Sequence, residues 1–108
     1  MALEFREADW KVFRQLRETA LQRFCQRTLD DVEAIACDPR KSCHQRYLAI
    51  HRLIRDRDRL LAFAFNNPRR STAWIQFGAI HRHRLLTDEE LGLLRPELRE
   101  ALDRFLET

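Results

Sequence analysis

The chain has 108 residues, 44% hydrophobic and 34% charged, with only 2 Gly and 3 Pro. That supports one globular domain over residues 1 to 108, and it excludes a sandwich or barrel built on many tight turns; the abundance of Leu, Arg, Glu and Ala points to an all-α fold. The net charge of +3 hides an uneven distribution, with six basic against seven acidic groups in residues 1 to 37, eleven against three in 38 to 86, and three against seven in 87 to 108.

The N-terminal stretch MALEFREADW is charged, and no window approaches the ~20 uncharged apolar residues that cross a bilayer. Neither secretion nor membrane spanning is expected. Cys25, Cys37 and Cys43 are odd in number, which suits reduced thiols in the cytoplasm and no disulfide framework.

Along the chain, apolar residues recur every three or four positions from Trp10 through Phe13, Leu16, Ala20, Leu21, Phe24, Val32 and Ile35, predicting a first long helix over about 10–37. Asp38-Pro39 stops it, because the proline ring disfavours helical geometry at the preceding residue. Ser42 with Gln45 forms a capping box that starts a second long helix, about 42–66. A connector this short forces the two to lie antiparallel as a hairpin. Asn66-Asn67-Pro68 ends the second helix and offers Asn67 as cap and Pro68 as first residue of a third, about 68–85. Thr87 and Glu90 form a second capping box, with Leu86 and Leu91 as hydrophobic staple, opening a short helix over about 88–94; Pro96 begins the last one, about 96–107.

The long helices would span roughly 40 and 35 Å, whereas a compact chain of this size has a radius of gyration near ~13 Å. Three shorter helices can cover only part of such a hairpin, so the remaining apolar surface is expected to bury against a second copy as a homodimer. Two explanations compete for the charge asymmetry: an acidic tail folded back on the basic middle, which we favour, or a basic middle turned to an anionic partner.

Within the stretch RYLAIHRLIRDRDRLLAFAF, Arg57 falls in the middle of the apolar face, where a buried cation wants a carboxylate. Aligning the hairpin places Arg57 near Glu18 and Asp58 near Arg17, and these four are predicted to form interhelical pairs that fix register. Arg52, Arg55 and Arg59 form a solvated face.

No arrangement for chemistry emerges. His81 and His83 point about 200° apart on a helix, and His44 and His51 sit ~10 Å apart, so neither pair chelates one ion. His81 is expected to be hydrogen-bonded on a packed face and His83 exposed. Cys43 stands at a helix N-terminus, but His44 diverges from it by about 100°, which does not make a thiol and base arrangement. There is no Gly-rich phosphate loop, nucleophile elbow or Asp-rich metal motif. The expectation is therefore a protein-interaction or regulatory protein without catalytic activity, metal or cofactor, with Phe5, Trp10 and Phe13 as the first docking surface to test. The alternative is a nucleic-acid-binding protein using the basic segment 40–86, with Arg69, Arg70, Arg82 and Arg84 on phosphates and Trp74 as a stacking surface.

Overall fold

A computed structural model describes residues 6 to 107; the side chains of Arg70 and of residues 105 to 107 lie outside that description, among them Phe105, which the spacing with Leu98, Ala101 and Leu102 predicts on the buried stripe of the last helix. The fold is all-α, in the order α1 (Glu7–Ala36), α2 (Cys43–Phe65), α3 (Arg70–Arg82), α4 (Asp88–Leu91) and α5 (Pro96–Glu107). No strand occurs among the described residues.

α1 begins three residues earlier than apolar spacing alone indicates. Asp9 explains the difference: its carboxylate accepts the Arg6 backbone N–H at 2.8 Å and, with Glu7, places negative charge in the first turn. Both capping boxes form as expected. Ser42 Oγ accepts the Gln45 N–H at 3.1 Å while Gln45 accepts that of Ser42 at 2.9 Å, and Thr87 with Glu90 repeats the exchange at 3.1 and 2.8 Å. α3 starts later than expected. Asn67 adopts φ 50°, in the left-handed region that Asn tolerates, so the chain turns through Asn67-Pro68 and the cap position falls to Arg69. Arg84, at φ 53°, closes the other end.

The molecule measures 52 × 26 × 25 Å, with a radius of gyration of 16.7 Å. That elongation arises because α3, α4 and α5 gather at the open end of the α1–α2 hairpin and leave its bend uncovered. Two adjoining clusters form the core of this base. Phe13, Leu16, Ala73, Phe77, Leu91, Leu94, Leu98 and Leu102 make one, and Ala20, Phe24, Ala64, Phe65, Ile80 and Leu85 the other. Phe13 lies 5.5 Å from Phe77 and Phe24 lies 5.9 Å from Phe65, centroid to centroid, both tilted as aromatic quadrupoles prefer. From Leu29 to Phe63 no residue is fully buried. This segment is the arm.

Polar contacts join base to hairpin. Arg23 and Arg27, one turn apart on α1, donate to the carbonyls that end α3: Arg27 to His83 and Arg84 at 2.9 and 2.8 Å, Arg23 to Leu85 at 2.9 Å. Those carbonyls have no partner within the helix, and cations there also meet the negative end of its dipole. Arg23 further makes a two-pronged ion pair with Glu90, at 2.5 and 2.9 Å. At the far end of the base, Asp9, 5% exposed, pairs with Arg95 Nε at 3.0 Å and ties the start of α1 to the turn before α5.

Candidate interaction surface

Two rows of side chains form the hairpin seam. On α1 they are Arg17, Leu21, Phe24, Thr28, Asp31 and Ile35, and on α2 they are Arg46, Ile50, Leu53, Arg57, Leu60 and Ala64. Both rows alternate steps of four and three, the spacing that keeps one stripe facing a partner helix. At the bend Arg46 donates to the Ala36 carbonyl at 2.5 Å, and at the open end Arg17 donates to the Phe65 carbonyl and lies 5.9 Å over the Phe65 ring.

This register corrects the expected pairs. Arg57 does find a carboxylate, but it is Asp31, at 2.7 Å, with Thr28 Oγ1 accepting a second bond at 3.1 Å. Glu18 instead accepts from Gln22 on its own helix at 3.1 Å, Asp58 lines an open groove on α2, and Arg17 serves a carbonyl. Helical side chains lean toward the N-terminus of their own helix, which for Arg57 means toward the bend, so its guanidinium reaches α1 residues well beyond Glu18.

The seam divides the hairpin into two flanks. One carries Ala20, Arg23 and Arg27 of α1 with Phe63 of α2, and it faces α3: Ala20 shares a core cluster with Ile80, and Phe63 lines a notch of about 410 Å³ with Thr72, Ile75 and Gln76. Along the arm the opposite flank holds the residue following each seam position, whereas nearer the base the same positions, Cys25, Leu61 and Phe65, pack into the second core cluster. Because the helices are antiparallel, these successors point the same way from both. Leu29 and Val32 on α1 therefore share a flank with Tyr47 and Ile54 on α2, and the register sets Leu29 level with Ile54. Leu29 is 60%, Tyr47 67% and Ile54 38% exposed, whereas Val32 is half-buried. A groove of about 480 Å³ runs beside them, lined by His51, Ile54, Arg55, Asp58, Arg59 and Ala62.

The outer edges of the arm carry Glu33 on α1 and Arg55 on α2, whereas Asp30, Arg52 and Arg59 each precede a seam position, as Arg27 and Phe63 do, and lean toward the flank that faces α3. Arg52, Arg55 and Arg59 make no hydrogen bond or ion pair among the described residues. The acidic tail does fold back on the α3 part of the basic middle, where Leu98 and Leu102 pack with Ala73 and Phe77, but none of its described carboxylates pairs with these arginines. Glu90 pairs with Arg23 of α1, Asp88 and Asp103 with Arg99 of the tail itself, and Asp103 also meets His81 of the middle at 3.4 Å. The paired carboxyl of Glu90 titrates at about 2, lowered from 4.5 first by the Arg23 hydrogen bond and then by the Thr87 N–H.

The aromatic surface proposed from sequence moves inward. Phe13 is fully buried, Trp10 is half-buried and stacked on it at 5.3 Å, and Phe5 lies outside the described residues. Packing of Leu98 and Leu102 from α5 against Phe13 closes that face. The basic residues named for nucleic acid do not assemble into one patch either. Arg69 caps the start of α3, the Arg70 side chain is outside the description, and Arg82 and Arg84 follow at the other end, roughly 20 Å away. Trp74 packs against the first core cluster. His81 is hydrogen-bonded and half-buried, and His83 is exposed; Cys37 and Cys43 are exposed free thiols at the tip, Cys43 accepting from Arg46 at 3.2 Å, and Cys25 is half-buried. Among the described residues no three His, Cys, Asp or Glu side chains cluster as a metal site would need, and no helix is long and apolar enough to cross a membrane.

No family model matches this chain, and no curated protein or solved structure matches it at a significant level.

Proposed function

We propose that this chain is a protein-interaction or regulatory module that acts as a homodimer and performs no catalysis. The observation that carries the reading is the arm. A chain with enough apolar residues to fill two core clusters leaves Leu29, Tyr47 and Ile54 in water on a flank that none of its own described helices covers. Hydrophobic surface costs about 25 cal/mol for each Å² left exposed, so a second helical surface of similar chemistry is stabilised by covering it. The free thiols fit a reducing compartment such as the cytoplasm. Sedimentation velocity at micromolar concentration is the test: a dimeric mass supports the reading, and a monomer across the accessible concentration range rejects it.

A second reading draws on the row Arg52, Arg55 and Arg59, whose rises of about 4.5 and 6 Å along α2 suit contacts to successive phosphates of a nucleic acid. Asp56 and Asp58 on the same stretch weaken that field. Binding to a mixed oligonucleotide that falls steeply with salt would favour it, and absence of binding at low salt would eliminate it.

A further inference from the structure

We infer that the notch between the end of α2 and the start of α3 docks the C-terminus of a partner polypeptide, with the terminal carboxylate against Arg69 and the first turn of α3 and an apolar last side chain between Phe63 and Ile75. The inference rests on the protein-interaction reading above and gives it a second surface, on the flank opposite Leu29, Tyr47 and Ile54.

Two large apolar side chains wall this notch from different helices. Phe63 of α2 is 59% exposed and Ile75 of α3 is 52% exposed, and both line the same space of about 410 Å³. That volume lies at the small end of the range for ligand sites, roughly 300 to 1,000 Å³.

Charge at the notch has one sign. Among the described residues no acidic side chain lines it, and Arg69, which does, makes no hydrogen bond or ion pair. Arg69 and Thr72 bring the start of α3 to its rim, and that helix has neither a side-chain cap nor an acid in its first turn. The positive end of the α3 dipole therefore adds to the guanidinium, and backbone N–H groups so placed favour an anion.

The floor is polar although it is closed to water. Gln76, 4% exposed, donates through Nε2 to the Asn66 carbonyl at 2.7 Å, while its Oε1 accepts from no group of the described residues. A buried amide oxygen without a donor is costly, so a donor seated over it is favoured. The last residue of a polypeptide offers a carboxylate, an apolar side chain and an N–H donor on one Cα. Ile75 and Gln76 lie about 7.5 and 9 Å along α3 from its first residue, and helical side chains lean back toward the N-terminus, so one residue held at the first turn reaches both. An internal acidic segment must both enter and leave, whereas a chain end needs a single way into so small a space. Capture of a terminal carboxylate by backbone N–H groups is a recurring mode of peptide recognition.

The probe is an N-acetylated tetrapeptide of three alanines and a C-terminal leucine, titrated into the isotope-labelled full chain and followed by amide NMR. Shifts at the Ser71 amide and the Gln76 side-chain amide should saturate with a Kd of about 1 mM or below, the range open to so small a ligand. The same peptide with a C-terminal amide should bind about tenfold more weakly or worse, and so should the free acid to Arg69→Glu, because a charge-assisted contact is lost in each. Phe63→Ser and Ile75→Ser should weaken binding about fivefold each with the far-UV circular dichroism melt unchanged, since both side chains are already largely in water. Equal binding of acid and amide, shifts centred elsewhere, or no shift at about 10 mM peptide, ten times the expected Kd, overturns the inference. Sedimentation keeps the two surfaces apart. A dimer that ignores the peptide removes the notch and leaves self-association standing, whereas a monomer that binds it removes the dimer and supports the notch.

Discussion

The base and the arm are built from the same two helices, yet different forces hold them. In the base, α1 and α2 contribute Phe13, Leu16, Ala20, Phe24, Ala64 and Phe65 to a core completed by α3, the α4 region and α5. In the arm the same helices meet along a single seam, where Arg57 with Thr28 and Asp31, and Arg46 with the Ala36 carbonyl, provide the named polar contacts. Burial dominates the first region; helix propensity, one capping box and a few half-exposed hydrogen bonds dominate the second. Length alone does not make a hairpin stable, because each turn of helix contributes only where something covers it. The arm thus depends on its anchorage in the base and on whatever packs against its flank.

Substitutions should separate the two regions sharply. Phe77→Ala, which empties the contact with Phe13, should cost about 3 to 5 kcal/mol and largely unfold the chain, as read by chemical denaturation. Asp9→Asn keeps the shape but removes the charge that faces Arg95 Nε at 3.0 Å, while the longer contact to Glu97, 3.9 Å, remains; a loss of about 2 to 3 kcal/mol is expected, below the full effect of a completely buried pair.

Acid provides a smaller probe of the base. Glu90 has its folded pKa lowered from 4.5 to about 2, so its contribution to stability is complete above pH 4.5 and disappears as the pH falls toward 2. Because the pair is partly exposed, with side-chain exposures of 39% for Arg23 and 23% for Glu90, the effect should be on the order of 1 kcal/mol. Denaturation midpoints of the wild type should fall between pH 5 and pH 2.5 by more than those of Glu90→Gln. Equal slopes would remove Glu90 from the account.

The smallest effect belongs to the arm. Leu29→Ser should change the stability of the isolated chain by no more than about 0.5 kcal/mol, since the side chain is already largely in water. A loss comparable to that of Asp9→Asn would show that the arm is buried within one copy and erase the contrast.

Much of this architecture is legible in the sequence. Asp38-Pro39 and the Ser42–Gln45 box place the bend, and the three-four spacing of apolar residues identifies each helix because burial on one face imposes that period. Register was less legible, since a short connector fixes direction but not how far a long side chain such as Arg57 leans along its neighbour. Tertiary polar contacts were invisible for a different reason. Arg23, Arg27 and Asp9 meet partners 56 to 86 residues away, at carbonyls and turns whose positions exist only after the base has formed. The acidic first turn of Glu7 and Asp9 was the one local signal that α1 starts before Trp10. For Phe13, periodicity announced a buried face without saying that α5 would cover it.

Helix α1 runs from Glu7 to Ala36 without a glycine or proline, so one continuous rod belongs to both regions. It has no joint at which the arm could swing independently. Bending the tip would load the backbone where Arg23 and Arg27 grip the end of α3, and amide exchange should therefore slow progressively along a single helix. Amides near Val32 should exchange through local fraying and those between Phe13 and Phe24 only when the whole base opens. A partner that seizes the tip would extend the slow region outward and be felt, through the same rod, in the core.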